Sequence, residues 1–112
     1  MNITNEKKGD VCVVAVGGRL DGAGAPEVES HCRALIEGGN KNQLLDLAQV
    51  EYISSAGLRS LLVVAKQVKA AGGTLMLCNL SSMVSEVMEI SGFDKILKIA
   101  ADRHAAIAQF GG

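Results

Sequence analysis

Three short apolar runs set the limits on this fold: Val11–Val16 (VCVVAV), Gln43–Leu47 (QLLDL) and Thr74–Cys78 (TLMLC). The first is short, continuous and β-branched, the pattern of a strand buried on both faces, the second is a further strand candidate, and the third is another buried strand. Segments with helical periodicity stand between them. After the first run, Pro26 suits the first turn of a helix, where its missing N–H costs nothing. Val28, Cys32, Leu35 and Ile36 then recur at helical spacing, and Gly38-Gly39-Asn40 ends the segment. After the second run, Val50–Ile53 leads into a helix. Leu58, Leu61, Leu62, Ala65 and Val68 form one apolar stripe on it, and Gly72-Gly73 closes it.

The rest of the chain continues the alternation. Ser82 is placed to cap a helix carrying Val84, Val87, Met88 and Ile90, which Gly92 ends. Ile96–Ile99 reads as a short strand, and Asp102 is placed to cap a last helix reaching about Phe110. Residues before Lys7 supply a partner strand for Val11–Val16, with Lys7–Asp10 as the turn. The predicted order is β-β-α-β-α-β-α-β-α. This is an α/β domain in which helices pack on a small mixed β-sheet, with right-handed crossovers and an antiparallel hairpin at its start. The 112 residues fit a single domain, 1–112.

Composition narrows the function. The formal net charge of -1 and the single adjacent basic pair, Lys7-Lys8, argue against a nucleic-acid surface. The longest apolar run, Val11–Val16, is far short of the ~20 residues a membrane-spanning helix needs, and the polar start MNITNEKKGD predicts no cleaved leader. Cys12, Cys32 and Cys78 are odd in number and widely spaced, which predicts reduced, partly buried thiols and a cytoplasmic protein. No CxxC or HxxxH occurs, and no metal or other cofactor is expected.

Two motifs suggest chemistry and lack parts of it. GGRLDGAGAP follows a strand and precedes a helix, as a dinucleotide-binding loop does. Glu27 stands where the third glycine would be, however, and the Gly-Lys-Ser/Thr of a P-loop is absent. Ser55-Ala56-Gly57 is half of a nucleophile elbow. Ile53 replaces its first glycine, and Asp94 or Asp102 with His104 supplies the triad order only.

The serine pair in YISSAG, Ser54 and Ser55, fits a third role. A serine at a helix start accepts a hydrogen bond from a free N–H, worth about 1 kcal/mol. A phosphoserine there adds about -1.5 to -2 charges at an end that favours negative charge. Like charges in an interface can cost several kcal/mol. Modification at such a site therefore leaves the fold standing and removes a partner.

The stretch LLDLAQVEYISSAGLRSLLVVAKQVKAAGGTLMLCNLSSMVSEVMEISGFDKILKI, with GGRLDGAGAPEVESHCRAL before it, resembles the STAS domain of sulphate transporters and anti-sigma factor antagonists. The resemblance implies a non-enzymatic partner switch. An anti-sigma factor that is also a serine kinase binds the unphosphorylated form and releases the sigma factor, phosphorylation abolishes binding, and a phosphatase resets the system. It implies that Ser55 is the acceptor and that ATP belongs to the partner. By the same resemblance, Asp21 and Gly22 lie on the kinase-facing surface and Asp46 lies near the acceptor. Ser54, Ser55, Ala56, Gly57, Leu58 and Arg59 complete the docking region. Ser54 stands where many antagonists carry Asp, and it offers a second acceptor. STAS domains also serve as accessory subunits that bind the ATPase of a membrane transport complex, and some members bind nucleotides. Those are the alternative roles.

Overall fold

The computed structural model describes residues 1–111. Five strands form one sheet: β1 (Asn2–Lys8), β2 (Val11–Leu20), β3 (Gln43–Ile53), β4 (Leu75–Cys78) and β5 (Lys98–Ala100). Four helices accompany them: α1 (Ala25–Glu37), α2 (Ser55–Ala70), α3 (Ser82–Ser91) and α4 (Arg103–Gly111). The strands lie side by side in chain order. β1 pairs with β2 antiparallel, and every later pair is parallel. The mixed α/β sheet expected from the alternation is the one found.

The order of the strands dictates where the helices go. Right-handed crossovers that always step the same way along a sheet lay their helices on one face. α1, α2 and α3 accordingly share a core with that face, built on Val14, Val16, Leu45, Leu47, Val28, Leu61, Val64 and Met88. α4 follows the last strand and packs on the opposite face, over Val13, Leu44, Met76 and Cys78 through Ala106. It contacts β3, β4 and β5. Coverage on both faces explains why β2 and β4 are apolar without alternation. The C-terminal ends of the parallel strands are called the crest below, and their N-terminal ends the base.

Several boundaries differ from the sequence expectation. β2 continues through Gly17, Gly18 and Arg19 to Leu20, residues that read as loop because of their glycines. Register shifts bracket the glycine pair, with the extra residues on β3, so the glycines lie in the strand opposite bulges of its neighbour. β3 runs unbroken to Ile53, Gln49 pairing with Gly17 beyond the first register shift. Ser81 caps α3, accepting the Val84 N–H at 3.2 Å, and Ser82 is its first residue. A 3-10 turn occupies Phe93–Lys95, which delays the last strand to Lys98–Ala100. Val64 replaces Leu62 at the centre of the α2 stripe, and Ile90 stays 79% exposed. Asp102 does cap α4, accepting the Ala105 N–H at 2.8 Å.

Arg103 fastens α4 across the sheet. Its Nε donates to Asp46 Oδ2 at 2.6 Å, and its Nη1 donates to Glu6 Oε1 at 2.9 Å. Burial alone would push the Asp46 carboxyl up. The Ala48 N–H, the Arg103 guanidinium and the Asn79 side chain outweigh it and hold the carboxyl below its ordinary range. Charge-assisted hydrogen bonds of this kind contribute about 1.5–3 kcal/mol. Replacing Arg103 with Met should therefore lower stability at pH 7 by about 1–3 kcal/mol in urea denaturation. A carboxyl lowered in the folded state stabilises above its unfolded pKa and loses that contribution as pH falls through its folded value. The gap between the native protein and Arg103→Met should thus narrow as pH falls below about 4.

Candidate functional site

The loops at the crest of β2 and β3 meet. Leu20 lies opposite Ile53 and Arg19 opposite Tyr52 in the parallel register. The Ser54 N–H continues the ladder by donating to the Leu20 carbonyl at 3.0 Å. Gly57, in the first turn of α2, packs against the same carbonyl. A Cβ there would overlap the Leu20 oxygen and crowd Ile53 Cγ1 at 2.9 Å. The glycine in YISSAG is thus a contact requirement: only a residue with no side chain lets α2 start this close to the end of β2.

The two serines divide the work. Ser54 is extended, with φ -100° and ψ 176°, and its Oγ accepts the Gly57 N–H at 3.3 Å. It is the N-cap. Ser55 is the first residue of the helix and is exposed. No acidic residue lies in the first turn of α2, so the unopposed N–H groups there leave local potential positive. Arg59 is exposed one turn further along.

Asp21 shapes the neighbouring loop. Its Oδ1 accepts the N–H groups of Ala23 at 3.0 Å and Gly24 at 3.1 Å, and the Arg19 guanidinium lies 3.6 Å from its other oxygen. The Gly24 and Ala23 amides, joined by Arg19, hold its carboxyl below the ordinary range. The amides that a phosphate would use in a nucleotide-binding loop are already taken by this carboxylate. Arg19 in turn lies over the Tyr52 ring, 4.3 Å from its centroid. Gly22 and Ala23 form the exposed tip beside these groups.

The expected site residues therefore separate. Asp21, Gly22, Ser54, Ser55, Ala56 and Arg59 come together at the crest. Gly57 and Leu58 are buried beneath them, Leu58 within the helical core, and they support the loop without offering side chains to a partner. Asp46 is a correction. It lies seven strand residues before Ile53, roughly 20 Å away along the chain, buried on the α4 face and bound to Arg103. Its side chain is on the face opposite α2, level with the ends of β4 and β5 and well short of the end of β3 where Ser55 follows. The hydrolase constellation does not assemble either. Asp94 follows α3 near the base, and Asp102 spends its carboxylate capping α4. Cys12, Cys32 and Cys78 are free and fully buried, and burial pushes the Cys32 and Cys78 thiols up to about 12. The Arg19–Tyr52 stack escaped the sequence reading because it needs the β2–β3 register, which spacing along the chain does not reveal.

A single sheet with three helices on one face and α4 on the other, an exposed serine beside a capping serine, and an acidic loop at the same end define a small α/β domain whose polar surface gathers at the start of α2. The STAS domain family model matches residues 2–106, and the chain belongs to that family. It is 41% identical over 110 residues to BtrV of Bordetella bronchiseptica, which carries the name of an anti-sigma factor antagonist, covering 98% of this chain and 95% of that one. It is 31% identical over 94 residues to the anti-sigma-B factor antagonist of Bacillus subtilis, covering 84% of this chain and 85% of the other. The phosphorylated form of SpoIIAA, a Bacillus cell fate determinant, has the same fold, with a TM-score of 0.71 at 19% identity over 96% of this chain and 98% of its own.

The division of labour sets an order of stability effects measurable by chemical denaturation. Ser54→Ala should cost about 1 kcal/mol through loss of the cap. Ser55→Ala should stay within about 0.5 kcal/mol of the native protein. Gly57→Ala should cost about 1–3 kcal/mol, because backbone rather than a flexible side chain must move.

Proposed function

We propose that this protein is an anti-sigma factor antagonist working by partner switching, with Ser55 as its phosphoacceptor. The observation that carries this reading is that Ser54 holds the helix cap while Ser55 stands exposed beside it. Phosphorylating the cap would remove a structural hydrogen bond. Phosphorylating the residue after it leaves the fold intact and places negative charge at the favourable end of α2. The names of the two relatives and the phosphorylated form of the Bacillus protein support the same reading.

The partner is an anti-sigma factor with serine kinase activity that docks on Asp21, Gly22, the Ser54–Ser55 loop and the exposed start of α2. The kinase brings ATP. The Ser55 Oγ attacks the γ-phosphorus, the bond to the β-phosphate bridging oxygen breaks, ADP leaves, and the hydroxyl proton passes to a base of the kinase. The product carries a charged group at the centre of the docking face, and the acidic Asp21 beside it adds to the unfavourable field. The complex dissociates, and the kinase is free to hold the sigma factor. A phosphatase restores the hydroxyl by hydrolysis. These events belong to the cytoplasm, where ATP and sigma factors are found. The protein itself catalyses nothing in this scheme.

Incubation with the kinase and ATP should add one phosphate, located by mass spectrometry on Ser55. Ser55→Ala should remain folded and bind the kinase without regulation by ATP. Ser55→Asp should remain folded and bind at least about tenfold more weakly, a like-charge penalty of ~1.4 kcal/mol or more. Equal binding by both variants, or copurification with a transport ATPase in place of a kinase, would refute the switch.

A further inference from the structure

The lysines of this protein are gathered at one end. α2 runs from the crest to the base, so Lys66 and Lys69 in its second half descend toward the start of β4. Lys7 and Lys8 end β1 opposite Cys12 and Val11, where β2 begins. Lys41 precedes β3, and Lys95 and Lys98 flank the entry to β5. These are all seven lysines of the chain. The carboxylates placed near the same end are Glu6, Asp10, Glu37, Glu89 and Asp94, so the base is still net basic while the whole chain carries -1. Asp21, Glu27, Glu51 and Asp102 lie toward the crest.

The base also holds an apolar groove. It is a recess of about 290 Å³ between the end of α2 and the entry to β5, lined by Ala65, Lys69, Leu75, Ile96, Leu97 and Lys98, among others. Leu75 and Leu97 are buried in its floor, whereas Ile96 on its rim is 61% exposed. Ile96 thus gives the recess an exposed apolar rim above a buried apolar floor. Lys69 and Lys98 line it with positive charge. Charge complementarity selects an occupant with carboxylates around an apolar side chain. A concave recess fits a single inserted side chain better than it fits the plane of a membrane surface.

We propose that this groove is a docking site for an acidic segment of a partner protein that inserts one apolar side chain against Ile96, Leu75 and Leu97. It is a surface separate from the Ser55 loop, at the other end of the sheet. It stands independently of the phosphorylation scheme, because none of its residues belongs to the crest.

The probe is a synthetic twelve-residue peptide of alternating Glu and Ser with one central Leu, titrated into the isotope-labelled full chain and followed by NMR. Backbone amide shifts should concentrate in residues 65–75 and 95–98, and affinity should fall as salt rises. The double variant Lys69→Glu/Lys98→Glu and the single variant Ile96→Asp should each weaken binding at least tenfold while keeping the native thermal midpoint within a few degrees. Ser55→Asp should change it less than twofold, so that failure of the switch and failure of this site are read separately. No shifts at millimolar peptide, or shifts centred on the Ser54–Gly57 loop, would overturn the proposal. So would binding to vesicles of phosphatidylglycerol with none to the peptide, which would assign the basic end to a membrane surface.

Discussion

The approach of Gly57 to the Leu20 carbonyl fixes the geometry on which the rest depends. The carbonyl already accepts the Ser54 N–H, so one oxygen ties the end of β2 to the end of β3 and to the first turn of α2. Two loops more than thirty residues apart in the chain are thereby held at one edge of the sheet, with their backbones fixed on both sides. A binding surface made of loops is useful only when the scaffold holds it still. Here the scaffold reaches into the loop itself. Ser54 then satisfies the open amide of Gly57, and the helix begins without borrowing Ser55. The exposed hydroxyl is a consequence of that arrangement, because the neighbouring serine has already met the helix's need.

The same logic explains why charge can be added without unfolding. A helix of sixteen residues presents a partial positive charge at Ser55, and no acidic side chain in the first turn cancels it. The fold therefore gains slightly, or at worst loses little, when that end becomes anionic. Asp21 does not compete for the role, since the amides of Ala23 and Gly24 and the Arg19 guanidinium already engage its carboxylate. The acidic loop is a fixed feature of the surface, and the serine beside it is the variable one.

Much of this was legible in the sequence, and the failures have physical causes. The unalternating runs VCVVAV and TLMLC announced strands covered on both faces, and the glycine-terminated apolar stripes announced their helices. The glycines of GGRL misled, because a strand opposite a neighbour's bulge and a loop both use glycine. Ser81 and Ser82 could not be told apart, since either can cap and only the backbone angle at the helix start decides. Asp46 was placed near Ser55 by the family resemblance, which does not fix a distance along a strand. A strand is long as well as two-faced, and the polar Asp in LLDL was a buried partner for Arg103, fifty-seven residues later. No local pattern carries a pairing of that range. The serine pair itself was placed correctly at the helix start, while its division into cap and exposed hydroxyl required the angles at Ser54.

The two ends of the sheet are joined by packed strands and a close-packed helix layer. Coupling between distant sites requires a two-state element, biased differently by each ligand. Where no such element links the ends, charge added at the crest acts only on whatever touches the crest. An acidic segment held at the base would then remain bound through every cycle of phosphorylation and release. Retention at one end raises the local concentration of whatever is tethered to that segment, as linked binding sites do without any new contact. In such an arrangement the crest decides whether the partner engages, and the base decides how soon it returns.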